Sequence, residues 1–350
     1  VSGSLPTIHF PLDYIVFIAL LILLPVIMIS SRPRRYILVF VGLAALLSLW
    51  DQSRWQPWFY QYIFMLASLG LYSWNSSELK EQDAPLNCCR FIVASTYFWS
   101  GIQKMNVRFV AGMFPWLMKP LVRLLPHSVT IFPRFLGIIA PLLESGIGIG
   151  LLTNRFRGIS IGLAVAMHTL ILLSLGPVGH NWNSVVWPWN ISMVLFVITL
   201  FWRVKHLSLG DITNVGIPPF HKLVLVLFGV MPLFSFFGLW DSYLSGTLYS
   251  ANTAKANLSV SDNVRAQLPT EIQRHIWKGA SGENRLGISD WSFEELNVPP
   301  YPERRIYKAI ARQICGYAQK PSEVLLDVQE RPDWLSGIRP VSRYDCRHLK

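Results

Sequence analysis

The sequence predicts an α-helical integral membrane protein of about eight transmembrane helices, followed by a small C-terminal extracytoplasmic α+β domain. Three observations predict it. The 350 residues are 52% hydrophobic and 15% charged, with mean hydropathy +0.37, against about 25% charged in soluble domains. Apolar stretches recur between residues 14 and 239, and the 14 tryptophans suit two membrane interfaces. After Trp240 the composition turns polar, which divides the chain into a polytopic part, 1–242, and an outer domain, 243–350. About 100 residues suffice for a small core.

The eight apolar stretches run over 14–30, 36–50, 58–74, 89–102, 131–152, 158–175, 185–202 and 223–239. A helix needs about 20 residues to cross the hydrocarbon, so the shorter ones borrow flanking aromatics or thin the bilayer. The 107–125 stretch carries Pro115, Pro120, Arg108, Lys119 and Arg123, and reads as a re-entrant or interfacial helix. Arg32, Arg34 and Arg35, then Lys80 and Arg90, then Arg155 and Arg157, then Arg203, Lys205 and His206 fall in alternating loops. That side is expected to be cytoplasmic. The N-terminus, the loops at 51–57, 104–130 and 176–184, and everything after Trp240 then lie outside. The basic 104–134 stretch breaks the rule and marks a binding site. In the outer domain, Pro302 and Glu303 open a helix with Ile306, Ile310, Ile314 and Tyr317 on one face, and 324–328 reads as a strand.

The net charge of +11 is topology charge plus attraction to anionic lipid. Without a compact basic, aromatic-studded soluble patch, nucleic acid is not an expected partner. Cys88 and Cys89 read as small buried hydrophobes. Cys315 and Cys346 share the outer domain and are expected to form a disulfide. No His or Cys cluster has ligand spacing, so no metal is expected.

Candidate site residues are the polar groups at membrane level. Lys104 closes the apolar run that begins at Phe91. An intramembrane ammonium is a functional hypothesis by default; the plainer reading is a lysine snorkelling to the interface. Glu144 and His168 lie within the fifth and sixth stretches, where a lone histidine is more often a packing residue than a catalyst. Around the outer loops, Trp55 and Trp58 offer a flat aromatic slot beside the pairable Asp51 and Arg54. His180, Asn181 and Asn183, with Asn190 after them, carry more amides than an aromatic belt requires and suggest a polar pocket opening outward. A lysine must be desolvated, or placed near another cation, to act as a base near neutral pH; the run from Tyr97 to Ile102, and Arg108, offer both. Such a site suits an amphipathic ligand with a polar aromatic head and a lipid tail, a quinone being the natural case.

These residues resemble the vitamin K-dependent gamma-carboxylase and its microbial relatives, the horizontally transferred transmembrane (HTTM) domain family. Tyr97-Phe98-Trp99-Ser100-Gly101-Ile102-Gln103-Lys104-Met105 is similar to the family's aromatic–small–Gly–aliphatic–x–Lys–aliphatic motif, followed by Phe109-Val110-Ala111-Gly112. The 51–62 loop, Ala166-Met167-His168 and Glu144 match weaker features, so the likeness covers roughly 50–202. It implies an enzyme using a reduced quinone, with Lys104 the base and His168 a second catalytic group. Trp55, Trp58, Tyr97, Arg108, Glu144, His180, Asn181 and Asn183 would surround the cofactor. Trp58 stands where the family has a histidine, and the outer region is shorter than the carboxylase's peptide-binding part. The alternative is therefore a non-enzymatic lipid-binding or assembly subunit whose outer domain holds a protein or peptide partner. A transporter is disfavoured, since no paired broken helices suggest an inverted repeat.

Overall fold

The computed structural model of the chain describes residues 12–72, 79–123, 132–204, 207, 209–213 and 218–349. Lys205, His206 and Lys350 lie outside these residues, as do the end of the third apolar stretch and the start of the fifth; the side chains of Lys80 and Arg134 are likewise not described.

The described part of each of the eight apolar stretches lies mainly in one helix. They are α1 (Leu12–Ile29), α2 (Pro33–Trp50), α3 (Pro57–Leu71), α4 (Leu79–Lys104), α6 (Phe132–Leu151), α7 (Arg157–Leu175), α8 (Val186–Phe201) and α9 (Pro219–Phe237), with the short α5 (Phe114–Val122) between α4 and α6. Prolines at the first turns of α2, α3 and α5 place a residue without an N–H where the helix has no acceptor for one. Among the described residues, three helices are long and apolar enough to cross a membrane: 33–50, 157–175 and 219–237. The expected number of eight spans is not supported by these three. Four further apolar helical stretches, at 14–29, 109–122, 136–151 and 186–201, are shorter among the described residues. The described part of the 107–125 stretch holds a π turn, Phe109–Met113, running into α5.

The bundle is apolar on both sides of its wall. Tyr60, Ile92, Val93, Tyr97, Ile147, Leu151, Met193 and Val197 fill its interior. Ile138, Leu142 and Ile149 of α6, Ile191 and Leu195 of α8, and Leu223 and Val226 of α9 face outward and exposed. A water-facing bundle would show polar residues there.

The two ends differ. At one end arginines cap helix C-termini, where backbone carbonyls lack partners. Arg34 donates to Gly70 and Leu71 O at the end of α3, at 3.2 Å each. Arg90 donates to Leu200 O of α8 at 2.7 Å, and Arg157 to Leu151 O of α6 at 3.1 Å and Val204 O at 2.6 Å. At the other end the loops before α3, after α4 and before α8 meet the C-terminal domain. Gln56 donates to Pro299 O (3.4 Å), Asn106 to Ser250 O (2.9 Å), Val107 N to Trp334 O (3.0 Å) and Asn297 to Ser184 Oγ (2.6 Å).

That domain is a five-stranded antiparallel sheet of order β2-β3-β1-β4-β5, from β1 (Lys255–Val260), β2 (Ile276–Lys278), β3 (Asn284–Gly287), β4 (Val324–Gln329) and β5 (Val341–Asp345). Strands β1 and β4 alternate buried and partly exposed residues, the period-two pattern of a sheet covered on one face. Helix α10 (Ile288–Leu296) packs on β1 and α11 (Arg304–Ile314) on β4. Helix α11 buries Ile306, Tyr307, Ala311 and Ile314. Tyr317, expected on that face, is 38% exposed, since a 3-10 turn at Cys315–Tyr317 rotates it away. Cys315 and Cys346 are disulfide-bonded, joining the end of α11 to the residue after β5. Cys88 and Cys89 are buried and free.

Helices α4 and α6 approach closely because both carry glycine at the crossing. A Cβ on Gly148 would stand 2.5 Å from Ala94 O and 2.7 Å from Phe98 N, and one on Gly101 2.5 Å from Pro141 O. These are backbone atoms, so neither can yield without separating the helices. Gly148→Ala is expected to lower the melting temperature by several degrees and to loosen the α4–α6 contact, read by cross-linking of cysteines placed on the two helices. Unchanged melting and cross-linking would mean that the seam tolerates the methyl group.

Candidate functional site

Tyr97, Ser100 and Lys104 recur at i, i+3 and i+7 along α4 and so share one face. Two polar clusters form on that face. In the first, the Lys104 ammonium donates to both carboxylate oxygens of Glu144, 2.7 Å each, and to Ser100 Oγ at 2.7 Å. The two side chains are 13% and 11% exposed. The glycine-lined crossing brings Glu144 of α6 this close, and its neighbour Ser145 donates to Phe98 O at 3.2 Å. Three acceptor oxygens converge on one amine, which is a pair of opposite charges rather than a cation crowded by a cation.

The second cluster joins α4, α7 and α8. His168 Nδ1 lies 2.7 Å from Asn190 Oδ1, and its Nε2 lies 2.6 Å from Tyr97 OH. Asn190 Nδ2 donates to Val186 O at 2.8 Å, which turns the amide oxygen toward the imidazole. An amide oxygen accepts, so neutral His168 carries its proton on Nδ1, and Nε2 accepts from the Tyr97 hydroxyl. All three side chains are buried. Every polar atom of the imidazole is satisfied, as a buried polar group requires.

The other expected site residues fall elsewhere. Arg108, expected to place a cation beside Lys104, instead donates through Nε to Gly337 O of the C-terminal domain. Its position at the start of the π turn aims it at that domain. His180 stacks on Trp116 at 4.3 Å between ring centroids, and its Nε2 meets Trp116 O at 2.7 Å, tying the 176–183 loop to α5. Asn183 is buried and donates to Tyr249 OH at 2.8 Å; Asn181 is exposed. Both hold positive φ of 48°, so these asparagines serve a tight turn. At this loop Asn190 is turned inward to His168, and Trp182 packs on Phe293 at 4.5 Å between ring centroids. Trp55 and Trp58 each pack on Phe59, at 5.8 and 6.2 Å, and Trp58 also on Tyr62. Asp51 and Arg54 pair at 4.0 Å.

Two cavities adjoin this region, and Lys104 lines neither. One, of about 20 Å3, lies between Tyr60, Ser95, Trp99 and Phe228. The Tyr60 hydroxyl is buried there without a hydrogen-bond partner, and the space is that of a single water. The other is an open cleft of about 740 Å3 between Phe236 at the end of α9 and Asn252, Arg331, Trp334 and Ile338. Asn252 donates to Gln103 Oε1 at 2.7 Å, and Gln103 donates to Ser235 Oγ at 2.8 Å, so the cleft wall is braced on the residue before Lys104.

Ser100 and Gln103 were not singled out from the sequence as site residues. Ser100 had a signal, four residues before Lys104; Gln103 had none until its partners Asn252 and Ser235 were known. Among the described residues no group of three or more His, Cys, Asp or Glu could hold a metal ion. Comparisons with protein-family models, with curated proteins and with solved structures find no match to this chain.

Proposed function

We propose that this chain is a multi-pass membrane enzyme of the carboxylase-like, quinol-dependent class, with Lys104 as its base and the C-terminal domain on the extracytoplasmic side. The Lys104–Glu144 pair carries the reading. Burying an ion pair between two helices is costly unless the site uses it, and these two side chains keep 13% and 11% exposure. A reduced quinone supplies an acidic hydroxyl proton and a lipid tail that delivers it within the bilayer. Lys104 becomes a base when its proton crosses 2.7 Å to a Glu144 oxygen. Ser100 Oγ then still orients the amine nitrogen. His168, held by Asn190, gives Tyr97 a fixed acceptor on the same face of α4.

The test uses the protein in nanodiscs with a reduced vitamin K-type quinone and dioxygen as the oxidant, following enzyme-dependent loss of the quinol above the protein-free rate. Lys104→Met should abolish turnover while membrane insertion is kept. Lys104→Arg should also fail, because a guanidinium does not give up its proton at usable pH. Full activity with Arg would identify Lys104 as an interface anchor.

A second reading has its own observation. The large cleft lies at the C-terminal domain rather than at Lys104, which suits a lipid-binding or assembly subunit that holds a partner through that domain. Quinol that remains unconsumed, with a protein partner captured by the C-terminal domain, would favour it.

A further inference from the structure

The loop at 330–340 is braced by hydrogen bonds and presents apolar side chains outward. Glu330 N donates to Pro340 O and Asp333 N to Ile338 O, each at 2.9 Å, closing its base. The Asp333 carboxylate accepts from Leu335 N (3.1 Å), Ser336 N (2.7 Å) and Ser336 Oγ (2.8 Å). Arg339 turns inward and donates to Ala251, Thr253 and Glu330 carbonyls at 2.6–2.9 Å. Beside the exposed Asp333 and Ser336, Leu335 is 90% exposed, Ile338 67% and Trp334 43%. A loop braced in this way gains nothing in water from showing these three.

Its position supplies the occupant. Trp334 sets its ring edge-on to Phe236, 4.8 Å between centroids, at the end of α9. Helix α9 is one of the three helices able to cross a membrane. Its outward residues Val226, Val230, Leu233, Phe237 and then Leu239 are all exposed, the last two at about 70%. The loop therefore prolongs the apolar outer face of that helix. Its other attachment is the start of the interfacial element, through Val107 N to Trp334 O and Arg108 to Gly337 O. Gly337, at φ +67°, is needed there: a Cβ would stand 2.7 Å from the Val107 side chain.

We infer that the loop tip formed by Trp334, Leu335 and Ile338 is a lipid-interface anchor that seats the C-terminal domain on the bilayer surface beside α9. A tryptophan at headgroup level with aliphatic residues beyond it is the chemistry of such anchors. The inference rests on the reading of α9 as a membrane span.

The test places one environment-sensitive fluorophore at a time on the full chain in nanodiscs, at Leu335→Cys, Val226→Cys and Glu271→Cys. Cys88 and Cys89 are buried, and the unsubstituted chain gives the background. Labels at 335 and 226 should emit at short wavelength, be quenched by spin-labelled lipid and resist aqueous iodide. The label at 271, on the exposed surface of the sheet domain, should show the reverse. A 226 label in lipid with a 335 label in water overturns the anchor and leaves the span intact. A 226 label in water overturns both. Shielding of 335 from iodide without lipid quenching means that protein covers the loop, and also overturns the anchor.

Discussion

Replacing Glu144 by leucine while Lys104 remains is expected to destabilise the protein by about 3–5 kcal/mol, because it leaves an ammonium nearly buried without its counter-charge. The partner is lost entirely, since both carboxylate oxygens bond the same amine. Lys104→Met leaves a carboxylate, which can protonate and go neutral, so its cost should be smaller. The Lys104→Met, Glu144→Leu double variant should recover most of the loss, as two apolar side chains of similar volume suit that seam. Thermal unfolding of the four proteins in one detergent gives the coupling directly. If the double variant is stable and inactive, the pair exists for chemistry. Additive losses would show that Lys104 and Glu144 do not interact in the folded protein.

Removing the Cys315–Cys346 bond should have the second largest effect. The bond closes a 31-residue separation, for which the chain-entropy argument gives roughly 3–4 kcal/mol. It ties the end of α11 to the chain beyond β5, an edge strand whose residues are all exposed or partly exposed. Amide exchange after Cys315→Ala with Cys346→Ala should therefore accelerate first in β5 and β4, while α4 and α6 keep their protection. Equal acceleration in the bundle would mean that the domain and the bundle unfold as one unit.

The sequence by itself determined the helical segments, the turn from apolar to polar composition after Trp240, the strand at 324–328 and the cysteine pairing. Hydropathy, proline placement and period-two alternation act within a few residues, so they are legible without partners. Where each outward or inward face points is not. Lys104 and Glu144 stand forty residues apart, and what joins them is a helix crossing that Gly101 and Gly148 permit. Asn190 reads as part of an outer loop's polar group, yet its position along α8 turns it inward to His168. Arg108 reads as a neighbour of Lys104, yet the π turn after it aims its guanidinium at Gly337. The basic loop residues read as topology charge, and the tertiary structure adds that Arg34, Arg90 and Arg157 satisfy helix ends far from them in sequence. Strand order likewise emerged only from folding, because β1 lies between β3 and β4, which follow it in the chain. A local pattern fixes what a segment is; the rotation of each helix about its axis, set by packing against others, decides which side chains meet.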